Sequence, residues 1–294
     1  MTELINTITH SRYFTHIKNL FWLLRIPHWV KSLFVLIGFI YTPTPGYLLP
    51  ALLAAFAFCL ISSAVYIYND IEDQQEDKLH PLKQHRPIVS GQVSVGEAVL
   101  VLFFLLIGGL ILGWMVSKKL AFILGLYLAI NVAYNHFFKV IPVLDVLSIA
   151  LGFMLRALAG TVGIGLPTSA WLILAITLLS FFIALNKRKL EIRFNLKTHT
   201  RQVLKKYHPH LLSNLILGIG ISTFLTYLMY VIFAHGQSFY FMLTLPFTAI
   251  ALWRFALLAK KEIDNDDPIL LFLRDRLSRF NLWCFIILTL LAVR

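Results

Sequence analysis

Apolar runs of bilayer length recur along almost the whole of this chain, and nothing else restricts its fold as tightly. A helix needs about 20 apolar residues to cross the hydrocarbon core of a membrane. Such runs occupy 19–40, 48–69, 95–116, 120–138, 143–165, 169–186, 211–234, 238–259 and 277–293. With 59% hydrophobic residues and a mean hydropathy of +0.77, the chain is too apolar for a soluble domain of this size. No charged linker or Pro/Gly-rich tract divides it. The expectation is an all-α integral membrane protein, a bundle of about nine transmembrane helices forming a single domain over 1–294. Cys59 and Cys284 both fall inside apolar runs and read as packing residues rather than as a disulfide or a metal site. The N-terminus lacks the pattern of a cleavable signal peptide.

Charge gives the orientation. The basic residues behind the net charge of +12 gather before the first run and after the second, fourth, sixth and eighth. The opposite loops, 41–47, 161–168 and 235–237, carry no Lys or Arg; Lys118 and Lys119 alone break the pattern. The positive-inside rule then places the N-terminus on the cytoplasmic side of a bacterial inner membrane and the C-terminus outside. Acidic residues collect on the basic side too, in 70–77 and 262–267, which suggests a cytoplasmic polar cap built over a site. Nucleic acid is excluded as a partner because the cations lie in short loops between spanning helices.

The strongest local signal follows the second run: Asn69-Asp70-x-x-Asp73-x-x-x-Asp77. Spacings of three and four put these oxygens on one helical face. Crowded carboxylates raise one another's pKa unless a cation joins them, and hard oxygen ligands without Cys point to Mg²⁺ bridging to substrate phosphates. Asn69, Asp70, Asp73 and Asp77 are the candidate metal ligands, whereas Glu72 and Glu76 lie off that face. Lys83 and Arg86 come next in the chain and suit the phosphate oxygens that a metal leaves free. Further candidates are Tyr134 and Lys139, then Lys187, Arg188 and Glu191 directly after the sixth run, then Arg201 and Tyr207. Arg156 lies 11 residues beyond Asp145, about 16 Å along a helix, and a charge that deep should face the bundle interior. It reads equally as an anion ligand or as a satisfied structural charge. Gly152, Ala157, Ala159 and Gly160 around it suit close helix packing. Asp267-Pro268 with Arg274-Asp275-Arg276 is as readily a turn before a charged helix start as part of the site.

With these motifs the chain resembles the UbiA superfamily of intramembrane prenyltransferases over essentially its whole length. The run NDIEDQQEDKLHPLKQHRPIVSG is similar to the signature of its decaprenyl-phosphate phosphoribosyltransferase branch. Arg25-x-x-x-Trp29-Val30-Lys31, Tyr134 to Lys139, GFMLRALAG and Lys187-Arg188-x-x-Glu191 carry the same resemblance, as do Arg201 to Tyr207, Asp267-Pro268 and Asp275-Arg276. Pro27 is displaced by one position from the branch pattern, and Ser32 stands where Asn is common.

The resemblance implies a Mg²⁺-dependent transfer of a 5-phosphoribosyl group from phosphoribosyl pyrophosphate to a polyprenyl phosphate lipid. Asp70, Asp73 and Asp77 would serve the reaction through the metal. Lys31 or Lys139 would hold the acceptor phosphate, and Lys83, Arg86, Lys187 and Arg188 the donor. Aromatic prenyltransferases of the superfamily carry a second Asp-rich motif after the sixth helix, where this chain has Lys187-Arg188-Lys189. That exchange suits a donor with an extra phosphate. The rival reading is an aromatic prenyltransferase with a prenyl diphosphate donor. A transporter fits less well, because no pair of broken helices recurs in matching halves. Whether copies assemble into a homo-oligomer is left open.

Overall fold

The computed structural model describes residues 18–41, 43–79, 83–167, 169–198, 206–235, 238–260 and 267–293, which are helical with no strand among them. The longer helices are α1 (Leu48–Glu72), α2 (Val95–Val116), α3 (Lys118–His136), α4 (Leu144–Ala159), α5 (Ala170–Thr198), α6 (Pro209–His235) and α7 (Phe239–Leu258). A short α8 (Pro268–Arg274) leads into α9 (Arg276–Ala292). Among the described residues, six segments are long and apolar enough to cross a membrane: α1, α2, α4 with its continuation to Ile164, α5, α6 and α7.

The other three expected runs differ, each for a local reason. α3 opens on Lys118-Lys119 and closes on Asn135-His136, and α9 has only 17 residues. The first run breaks most sharply. It forms a 3₁₀ helix at Ile26–Leu36 and then a five-residue α-helix, Ile37–Tyr41. Pro27 stands in its first turn, and Arg25 before it is left-handed at φ 49°.

Helix starts follow local chemistry. Ser94 caps α2 in a box with Glu97: the Glu97 N–H donates to Ser94 Oγ at 3.2 Å, and the Ser94 N–H donates to Glu97 Oε2 at 2.9 Å. Ser117 Oγ accepts from Leu120 N–H at 2.9 Å to start α3. Asp267 and Asp275 cap α8 and α9, accepting from the N–H groups of Ile269 and Ser278.

α1 packs on α2, α3 on α4, α4 on α5, α5 on α6 and α7 on α9, while the 3₁₀ segment lies between α1 and α4. Lipid is as apolar as leucine, so close backbone approach rather than exclusion from water holds such helices together. Ala51, Ala54 and Ala57 are fully buried on α1, and a Cβ on Gly109 of α2 would lie 2.8 Å from Ile61. The tightest contact is at the end of α4. There a Cβ on Gly160 would fall 1.5 Å from the Val35 carbonyl oxygen, and one on Gly38 would fall 2.6 Å from the Gly160 carbonyl oxygen. Backbone meets backbone, so no rotamer change relieves the clash. Gly160→Ala should therefore cost about 2–3 kcal/mol, the scale of overpacking, in denaturant titrations of the purified protein. A loss below about 1 kcal/mol would show that the 3₁₀ segment can retreat.

Candidate active site

α1, the 3₁₀ segment and helices α3, α4, α5 and α8 enclose a cavity of about 140 Å³. Four of the expected site residues line it: Lys31, Asn69, Tyr134 and Lys187. Tyr66, Asn131, Arg156 and Asp267 line it as well. Among the described residues, its wall thus carries three cations against one carboxylate. The fully buried pairing of Ala and Ile side chains on α1 with Leu124 and Leu155 backs one side. The cluster of Phe153, Ile183 and Ile269 backs the other.

Lys31 and Asp267 form an ion pair across the cavity mouth, and His28 Nδ1 lies 3.3 Å from the same carboxylate. Three residues make one turn of a 3₁₀ helix, so positions i and i+3 eclipse. That is why His28 and Lys31 reach one acceptor. Burial pushes the Asp267 carboxyl up, but the Lys31 charge, the His28 hydrogen bond and the Lys187 charge outweigh it. The carboxyl is held well below the usual carboxylate range.

The Asn69–Asp77 face forms a second layer. Asp70 and Asp77 are each 2% exposed. Arg86 Nη1 bridges them, donating to Asp70 Oδ1 at 2.9 Å and also contacting Asp77 Oδ2. Arg25 contacts Asp70, and Lys83 Nζ lies 3.6 Å from Asp77 Oδ1. Asp73 is a quarter exposed and pairs with Lys139 at 2.9 Å. Asn135 Nδ2 donates to Asn69 Oδ1 at 2.6 Å.

These residues can be judged as a divalent-cation site by what they donate. All offer hard oxygen, which suits Mg²⁺. Among the described residues, no three His, Cys, Asp or Glu side chains converge on one point. Mg²⁺ does not require such a cage, since it keeps several waters and uses one or two carboxylates plus substrate phosphate. Asn69 on the cavity wall and Asp73 one turn beyond meet that need. Asp70 and Asp77, the other two expected ligands, face arginine in this structure.

A third group lies behind the wall. Arg188 is fully buried: its Nε is 2.8 Å from Asp145 Oδ2, it pairs with Glu191, and Nη2 donates to Tyr134 Oη at 3.3 Å. Tyr207 donates to Asp145 and accepts from Val143 N–H at 3.1 Å. Burial and the bond to Asp145 push the Tyr207 phenol up to about 12. Val143 has φ 74°, a strained conformation for a β-branched residue, and the Tyr207 bond helps to hold it. Arg188 was expected to touch a donor phosphate. Its fully buried guanidinium sits against two carboxylates and the Tyr134 hydroxyl, and Tyr207 reaches the same Asp145. Lys187, its neighbour, points into the cavity and lies 3.8 Å from Glu191 Oε1. Arg201 lies outside the described residues.

Sequence reasoning placed Asp267 and Arg156 only as even alternatives, noted Arg25 only within the resemblance, and passed over Tyr66 and Asn131. The Asp-Pro start of α8 marks Asp267 as a cap, but nothing local shows that it reaches Lys31. Asp275 is structural, binding Arg254 through two bonds at 2.7 and 3.0 Å to tie α9 to α7.

The fold and this polar site together define an intramembrane transferase of the UbiA type. The chain belongs to the UbiA prenyltransferase family, whose model matches residues 32–290. It is 31% identical to a decaprenyl-phosphate phosphoribosyltransferase of Mycolicibacterium smegmatis over 240 residues, 76% of this chain and 74% of that protein. An enzyme of the same name from Mycobacterium tuberculosis is 30% identical over 231 residues, 76% of this chain and 75% of its own length. Among solved structures, a UbiA homologue from Archaeoglobus fulgidus bound to DMAPP and Mg²⁺ superposes with a TM-score of 0.72. That likeness has 19% identity and covers 92% of this chain and 97% of that one.

Proposed function

We propose that this protein transfers the 5-phosphoribosyl group of phosphoribosyl pyrophosphate to the phosphate of a long-chain polyprenyl phosphate, releasing pyrophosphate. One observation carries the reading: among the described residues, three cations and one carboxylate line a cavity just beneath the Asn69–Asp73 face. A prenyl diphosphate needs its charge met at one end only. A phosphoribosyl donor brings phosphate at both ends. The names of the curated relatives agree with this assignment.

Asn69 and Asp73 would hold Mg²⁺, which when bound neutralises charge on the departing diphosphate. Arg86, positioned by Asp70 and Asp77, and Lys83 beside it supply further positive charge at that end. Lys187 and Tyr134 orient the sugar from the cavity wall. Lys31 or Lys139 receives the acceptor phosphate. An oxygen of that phosphate bonds to the anomeric carbon as the bond from that carbon to the diphosphate oxygen breaks. The carbon passes through oxocarbenium character, and pyrophosphate leaves with the bonding electrons. The acceptor oxygen is already ionised near neutral pH, so no strong base is required.

The isoprenoid tail would lie against the outward apolar faces of a nine-span bundle in a bacterial inner membrane. The N-terminus and the polar cap would face the cytoplasm and the C-terminus the other side. Purified protein given Mg²⁺, labelled phosphoribosyl pyrophosphate and polyprenyl phosphate should move the label into the lipid phase. No labelled lipid, with turnover of a prenyl diphosphate and an aromatic acid instead, would replace this reading with the aromatic prenyltransferase.

A further inference from the structure

Arg156 is the one cavity cation whose charge the mechanism above leaves unused. It is 4% exposed and, among the described residues, pairs with no carboxylate. Its Nη1 donates to Gly152 O at 2.8 Å, and its Nη2 donates to Tyr127 Oη at 2.9 Å and Ser62 Oγ at 3.0 Å. The faces of Tyr127, Phe58 and Phe153 lie 4.8, 5.4 and 5.7 Å from its central carbon. These are neutral partners. Among the described residues, the buried Nε–H has no acceptor. A guanidinium buried in apolar surroundings without a counter-charge is costly, and this one lies on a cavity wall with an N–H to spare.

We infer that the inner end of the cavity is a phosphomonoester subsite built on Arg156. A dianionic phosphate entering there supplies both the missing charge and the missing acceptor, and guanidinium binds phosphate oxygens in pairs. This inference rests on the proposed function, under which two phosphomonoesters reach the site: the 5-phosphate of the donor and the head of the lipid. Geometry favours the donor. Ser62, which touches Arg156, lies two turns below Asn69 on α1, about 10 Å along the axis. A ribose with phosphate at each end bridges that separation, its diphosphate toward Asn69 and its 5-phosphate toward Arg156. Tyr127 positions the guanidinium and is itself a wall residue.

The test uses the full chain in lipid nanodiscs and three probes: ribose 5-phosphate, pyrophosphate with Mg²⁺, and a polyprenyl phosphate. Calorimetry should show Arg156→Gln weakening ribose 5-phosphate at least about tenfold, the scale of one charged hydrogen bond. Pyrophosphate binding should change by less than about twofold. If polyprenyl phosphate weakens in its place, the subsite stands and its occupant is the lipid head. Unchanged binding of both phosphomonoesters, or an equal loss of all three probes, overturns it. Should Arg156→Gln fail to fold, Arg156→Lys keeps the stem and charge but loses the fork. It should weaken the phosphomonoester at least about threefold, and no change would again overturn the subsite. Ribose 5-phosphate binding by the wild type that neither variant weakens, with polyprenyl phosphate binding also unchanged, removes the subsite alone. Wild-type protein that binds neither phosphomonoester removes the phosphoribosyl reading with it.

Discussion

Asp73→Asn should lower Mg²⁺-dependent phosphoribosyl transfer at least about 100-fold, the scale expected when a transition-state charge partner is lost, and leave the bundle folded. The two halves of this expectation have separate causes. Asp73 is the carboxylate of the motif that retains exposure, about a quarter, and its described ion pair is with Lys139. A part-exposed pair of this kind contributes about 0–1 kcal/mol, so denaturant midpoints should barely move. Asn keeps the shape but gives up the charge that draws a hard cation. Initial rates across a Mg²⁺ titration would show the loss as one that added metal only partly restores. Near-normal turnover would withdraw Asp73 from the metal and leave Asn69 without a partner.

Arg188→Met reverses the pattern. Removing the guanidinium leaves Asp145, which is fully buried, and Glu191 with their shared cation gone. Stranding buried carboxylates costs about 3–5 kcal/mol, and denaturant titration should find a loss of that size. Arg188→Lys should recover little, because an ammonium cannot span both carboxylates and Tyr134 as a planar fork does. A stability change below about 1 kcal/mol together with lost donor affinity would return Arg188 to direct phosphate contact.

The two residues also show where sequence was informative and where it stopped. The Asn69–Asp77 spacing reports a shared helical face because 3.6 residues per turn is a property of the local backbone. Neighbouring positions on a helix diverge by about 100°, so Lys187 and Arg188 turn to different surroundings. No local pattern tells which of the two faces the cavity. The depth of Arg156 followed from counting residues, but the neutral surroundings of its charge are drawn from three separate elements, α1, α3 and α4. Six of the nine expected membrane runs form helices long and apolar enough to span among the described residues; α3 and α9 fall short of that, and Pro27 with a left-handed Arg25 opens a segment of different period in the first run. The Lys31–Asp267 pair joins the two ends of the chain, and only the folded bundle brings them together.

The 3₁₀ segment behaves as a three-sided prism. One side, His28–Lys31–Phe34, meets Asp267 and the Phe153 ring. A second, Trp29–Ser32–Val35, is pinned to Ser63 and to the backbone at Gly160. The third, Val30–Leu33–Leu36, includes the outward Leu33. A prism turns in steps of about 120°, so one residue gained or lost ahead of Lys31 would present the wrong side to the cavity. Length, more than composition, is what this stretch of chain must preserve.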